Sequence, residues 1–138
     1  MVHALELARW HLAPGGTLVL IQPLRSKRPF IAVKTGRRRQ EVGFLVNPVF
    51  EPIITAAEAA IDSIVDRKVV VPAGKTEKSF AVELTSLRQL DAYLYGGVRP
   101  PRFAPGGRRR LEELWRARTP GARIEVTEFM TVMAFRPA

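Results

Sequence analysis

The chain has 138 residues, 46% of them apolar, and 22 Lys and Arg against 13 Asp and Glu, for a formal net charge of +9. That suits one domain with enough apolar material for a core, and it argues against wholesale disorder. The absence of cysteine excludes disulfide frameworks, thiolate metal sites and cysteine nucleophiles, and two histidines, His3 and His11, exclude a histidine-rich metal centre. The longest apolar stretches fall well short of the ~20 residues that span a bilayer. Met1 to Glu6 shows neither the basic nor the apolar region of a secretory signal, so the expectation is a cytoplasmic protein with no membrane association and no bound metal.

Ala4 to Leu12 reads as a helix, with Leu5, Ala8, Leu12 and the flanking Ala4 and Leu7 on one face and good helix formers throughout. Ala13-Pro14-Gly15-Gly16 stops it, because proline cannot continue a helix and glycine accepts positive φ. Thr17 to Ile21 comes next, apolar on both faces, which predicts a central, parallel strand covered by helices on each side. The next segment, Leu24 to Gly43, is basic, with Phe30-Ile31-Ala32-Val33 a short strand within it. Beyond a turn at Asn47-Pro48, the spacing predicts a helix from Glu51 to Arg67, with Ile53, Ala56, Ala57, Ala60, Ile61, Ile64 and Val65 as its apolar face.

Pro72-Ala73-Gly74 reads as a turn before a strand over Ser79–Leu84. Ser86 with Gln89 fits a capping box, so a helix is expected to run from there to about Tyr95, burying Leu87, Leu90 and Leu94. Gly96-Gly97 ends it and Arg99-Pro100-Pro101 keeps the chain extended. A second Ala-Pro-Gly-Gly, Ala104 to Gly107, repeats the turn chemistry of the first without matching its flanks. Arg108 to Arg118 is a basic helix with Leu111, Leu114 and Trp115 inward. The β-branched and aromatic stretch from Arg123 to Arg136 reads as two strands divided near Glu128, or one long bent one.

At Leu12-Ala13-Pro14-Gly15-Gly16-Thr17-Leu18-Val19-Leu20 the sequence resembles class I S-adenosylmethionine-dependent methyltransferases, in which a helix and a Leu-x-Pro-Gly-Gly turn lead into the fifth strand. Phe80 to Leu94 and the closing helix with its Arg-Pro-ending antiparallel strand pair are similar to small-molecule members. The resemblance implies an α/β fold: a partial Rossmann-like methyltransferase sheet, fifth to seventh strands, with a mainly helical insertion. It divides one domain, 1–138, into residues 1–23 (helix, turn and central strand), 24–106 (acceptor-side insertion) and 107–138 (closing helix and strands).

The family holds its cofactor through a Gly-rich loop and an acidic residue ending the second strand. No Gly-x-Gly-x-Gly occurs in this sequence. S-adenosylmethionine is therefore implied by resemblance alone, no residue is assigned to binding it, and none is assigned a catalytic role. The implied function is that of the C-terminal half of a methyltransferase acting on a small molecule, inactive in isolation. A homo-oligomer or a complementing N-terminal half is expected, because Thr17 to Ile21 would otherwise present an apolar edge.

Substrate contacts belong past the C-terminal end of that strand, where open α/β sheets bind ligands, which points to Gln22, Arg25 and Lys27. Pro14, Gly15 and Gly16 are assigned to the turn, and His11 to capping the first helix. The alternative is a basic, non-catalytic protein that binds nucleic acid weakly and without sequence preference, through Arg37-Arg38-Arg39 and Arg108-Arg109-Arg110. No nucleic-acid-reading motif accompanies those runs, and the excess of Arg, Ala, Gly and Pro is also what a GC-rich coding sequence yields.

Overall fold

The alternation and capping signals resolve into four helices and six strands in a computed structural model that describes residues 1–97 and 100–138. Arg99, expected in an extended Arg99-Pro100-Pro101, lies outside the described residues. In chain order the elements are α1 (Val2–Trp10), β1 (Leu18–Pro23), β2 (Phe30–Thr35), β3 (Arg38–Val46), α2 (Phe50–Asp66), β4 (Val70–Leu84), α3 (Leu87–Tyr95), β5 (Arg102–Phe103), α4 (Gly107–Arg116) and β6 (Arg123–Pro137). The fold class is mixed α/β, and every pairing whose register is described is antiparallel.

The chain forms two compact units. The first comprises Met1–Arg25, Phe50–Lys78 and Met130–Ala138; the second comprises Ser26–Val49 and Ser79–Phe129. The long strands β4 and β6 each contribute to both.

In the first unit, β1 pairs with the C-terminal part of β6, Leu18 opposite Phe135 and Leu20 opposite Met133. These side chains pack with Leu5 of α1 and Ala60, Ile61 and Ile64 of α2, so both helices serve one face of the strands. Val19 and Ile21 point the other way and are 52% and 66% exposed. The expected central, parallel β1 is therefore corrected. It is an antiparallel strand at the end of the hydrogen-bonded order, with half-buried and exposed residues alternating. Apolarity on both faces did not report burial on both faces. The helix α2 lies within one residue of its predicted bounds, but Ile54 faces inward while Ile53 and Ala56, expected on the apolar face, are exposed.

In the second unit, β2 pairs with β3 on one side and with the N-terminal part of β6 on the other, and β5 adds to β3. Ile31, Val33, Leu45, Ile124 and Val126 pack beneath Leu90 and Leu94 of α3 and Leu111 and Trp115 of α4. The helix α3 starts where its cap requires: the Gln89 amide donates to Ser86 Oγ at 3.1 Å. The side chain of Gln89 accepts from the Thr85 amide at 2.7 Å, one residue earlier than a reciprocal capping box would place it.

Residues 24–106 are not mainly helical. They hold β2, β3, β4 and β5 beside α2 and α3. The arginine run enters a hairpin because Gly36, at φ +57°, turns Thr35 back onto Arg38 in a two-residue loop. The expected turn at Pro72-Ala73-Gly74 lies inside β4, where Val71 to Ala81 are exposed. Proline is tolerated where no ladder donor is needed. The C-terminal stretch is one continuous strand of 15 residues, which belongs to the second unit as far as Phe129 and to the first from Met130 onward.

Candidate ligand cleft on the outer sheet face of the second unit

The β2 alternation sends Ile31 and Val33 into the core and leaves Phe30 and Lys34 on the outer face. Phe30 lies directly opposite Phe44 of β3 and Thr127 of β6, which aligns three strands in one row. A bulge makes this possible. The register slips between Ile31, opposite Gly43, and Ala32, opposite Glu41, and Gly43 takes φ +148°. The extra residue brings Phe44 and Glu41, three positions apart, to the same face.

The result is an open cleft of about 600 Å³ lined by Ser26, Lys27, Arg28, Phe30, Arg39, Glu41, Phe44, Thr127 and Phe129. Phe30 and Phe44 meet edge to face, with centroids 5.1 Å apart. Lys27 Nζ stands 5.4 Å from the Phe129 ring centre, and the Arg39 guanidinium 5.5 Å from that of Phe30. Arg39 is held: its Nε donates to the largely buried carboxylate of Glu125 at 2.7 Å, and Nη1 donates to Glu41 at 3.4 Å. Lys34 bridges Glu83 at 2.8 Å and Glu125 at 3.7 Å. Hydrogen bonding and charge from Glu83 raise the Lys34 pKa, and the same pair lowers that of Glu83. By contrast, no carboxylate pairs with Lys27 or Arg28 among the described residues, so their charges face the cleft unneutralised.

Of the three substrate residues expected from the strand end, only Lys27 lines this cleft. Gln22 sits in the β1–β6 ladder opposite Thr131. Arg25 is clamped to α2: it pairs with Glu51, donates to Glu58 Oε2 and Thr55 Oγ1, both at 2.9 Å, and its pKa is raised chiefly by the bond to Glu58. The aromatic members of the cleft went unread in the sequence. Phe30 stood in a recognised strand, but a bulge at Gly43 leaves no periodic signature that would have placed Phe44 beside it.

The assigned turn is built as its residues require. The Gly16 amide donates to the Ala13 carbonyl at 2.8 Å, Gly15 has φ +75°, and a Cβ on Gly16 would meet that same carbonyl oxygen at 2.8 Å. Proline and glycine occupy the middle positions that suit a type II turn. His11 caps α1, its Nδ1 donating to the Leu7 carbonyl at 2.8 Å.

The arginine runs are partly engaged within the fold. Arg108 pairs with Asp91 and Glu112, Arg109 with Glu113, and Arg39 as described, so three of the six are held internally. Tyr93 donates from its hydroxyl to Glu128 at 3.0 Å. Burial and the carboxylate beside it push the phenol up to about 12, while burial raises the Glu128 carboxyl against the opposing hydrogen bond.

Neither family models, curated proteins nor solved structures gave a match to this chain. The residues of the cleft do not fit the methyl donor. S-adenosylmethionine carries a positive sulfonium, whereas Lys27 and Arg28 make the cleft cationic, and the one carboxylate lining it, Glu41, is paired with Arg39.

Proposed function

We propose that this chain is the acceptor-side, C-terminal portion of an S-adenosylmethionine-dependent methyltransferase for a small molecule, and that a complementing N-terminal half holds the donor. One observation carries the reading. On the outer face of the first unit's sheet, Val19 and Ile21 lie opposite Ala134 and Val132, an apolar surface on a strand whose other edge ends the hydrogen-bonded order. Strands apolar on both faces are normally covered on both, and an open apolar edge invites another strand. The helix, Pro-Gly-Gly turn and strand that open the chain, and the pairing of β6 with both β1 and β4, are in keeping with the closing strands of such a sheet. The cleft of the second unit then receives the acceptor, its size falling within the roughly 300–1,000 Å³ of small-molecule sites.

On this reading the chain's own contribution is to bind and orient the acceptor, since methyl transfer draws much of its acceleration from holding the reacting atoms in line. A calorimetric titration of the isolated chain with S-adenosylhomocysteine tests the division of labour. No binding is expected. Micromolar binding by the chain alone would overturn it, because a donor site would then assemble without a complementing half.

A further inference from the structure

We infer that the cleft of the second unit selects a planar aromatic anion, a fused or single aromatic ring bearing one carboxylate. The inference rests on the cleft being the acceptor pocket proposed above, but its test needs no methyl donor.

The apolar part of the cleft is made of aromatic faces and edges. Phe44 stays 51% exposed although it belongs to an edge-to-face pair, and Phe129 is the ring that Lys27 overlies. A flat ring entering here meets Phe30, Phe44 and Phe129 in the offset and perpendicular geometries aromatic groups favour. The polar part is a sum of charges that does not cancel. Arg39 is paired with Glu41 and with Glu125, Lys34 with Glu83 and Glu125, and among the described residues neither Lys27 nor Arg28 has a carboxylate partner, which leaves the group with a net positive charge. Both border the cleft, so each can offer its charge to an anionic group held against the rings. Ser26 and Thr127 add hydroxyls able to donate to its oxygens.

A cationic ligand is disfavoured by the same surplus. A bare anion such as phosphate would leave the aromatic rings in water. An oligonucleotide would need a continuous file of free cations along its backbone, and Arg39, which also lines the cleft, is already bound to carboxylates.

The test is equilibrium binding of the full chain, at low salt, to 2-naphthoate, 2-naphthamide, cyclohexanecarboxylate, inorganic phosphate and a dT12 oligonucleotide. Naphthoate is expected to bind about tenfold or more tighter than the amide, the saturated acid or phosphate, as two exposed charge contacts and one aromatic contact would yield. The double variant Lys27→Gln/Arg28→Gln should remove that advantage, so that naphthoate and naphthamide bind alike. The surface variant Lys78→Gln, which removes the same type of charge elsewhere, should do nothing.

Equal binding of naphthoate and naphthamide would overturn the inference, as would equal weakening by Lys78→Gln. Tighter binding of dT12 than of naphthoate would replace it with a nucleic-acid site. If naphthoate binds as expected while S-adenosylhomocysteine also binds the chain alone, the ligand class stands and the division of labour proposed above falls. Loss of binding in Phe129→Leu with the melting transition retained would separate ring recognition from folding.

Discussion

Two copies of one tetrapeptide, Ala13-Pro14-Gly15-Gly16 and Ala104-Pro105-Gly106-Gly107, make the same turn and lead to different structures. In each, the last glycine donates its amide to the alanine carbonyl, at 2.8 and 2.9 Å, and the first glycine takes a positive φ, +75° and +79°. The first turn delivers the chain into β1, which exposes Val19 and Ile21; the second delivers it into α4, whose Leu111 is fully buried and whose Trp115 is nearly so. Local chemistry sets the reversal of direction. The type of element that the turn opens, and whether that element is covered, depend on the succeeding side chains and on their packing partners.

The largest way to sharpen that contrast is to truncate one apolar residue after each turn. Leu111→Ala leaves a cavity among Ile31, Leu45, Leu90 and Ile124 and should cost about 2–5 kcal/mol. Val19→Ala on the half-exposed face, where Val19 shares a shallow cavity with Gly74, Lys75 and Thr76 of β4, should cost about 1 kcal/mol or less in the isolated chain. Urea denaturation of both variants measures the difference, and comparable losses would mean that the outer face of β1 is covered in solution.

The two final glycines should also part company. At Gly16 a Cβ would sit 2.8 Å from backbone oxygen, and Gly16→Ala is expected to cost about 1–3 kcal/mol as the turn is forced apart. At Gly107 the nearest atoms are those of the Phe103 side chain, at 3.2 and 3.3 Å, and the residue opens a helix. There a small gain in helix propensity, less than the ~1 kcal/mol of a helix interior, opposes crowding against a side chain that can shift, so Gly107→Ala should cost less than Gly16→Ala. A larger loss at Gly107 than at Gly16 would show that the turns are not equivalent.

Association comes next. The open edge and apolar face of β1 predict concentration-dependent self-association, measurable by light scattering, which Val19→Lys should suppress without lowering the melting temperature by more than a few degrees. A wild-type chain that is monomeric at every concentration would remove the support for a covering partner.

The smallest effect belongs to Tyr93. Its phenol, raised to about 12, stays protonated in the folded chain while the unfolded chain ionises near 10. The unfolded state therefore loses its proton first, and stability falls as pH rises between those values. In a Tyr95→Phe background the single remaining phenol should titrate near 12 by ultraviolet absorbance, and Tyr93→Phe should flatten the alkaline stability slope.

How much of this could be read from residues alone varied with the range of the interaction. The cap at Ser86, the turn at Pro14-Gly15-Gly16, the helix over Phe50–Asp66 and the inward Trp115 were all legible, because each depends on neighbours within about a turn of chain. Of the candidate site, Lys27 was anticipated from a strand end and Arg39 from a run of arginines, neither of them from the cleft that they line. Arg25 was expected to meet substrate and instead meets Glu51 and Glu58, partners 26 and 33 residues away.

By itself, then, the sequence determined the turn at Ala13–Gly16, approximately where the helices start and stop, and most of their apolar faces, since these are set by φ preferences, missing donors and the 3.6-residue period. Tertiary structure alone decided that β1 runs antiparallel to β6, that the arginine run becomes half of a hairpin, and that a bulge at Gly43 sets Phe44 beside Phe30 in a cleft that Lys27 and Arg28 also line. Strand direction, register and pairing of charges are properties of residues distant in sequence. They are settled only when burial and hydrogen bonding choose among partners that local pattern leaves equivalent.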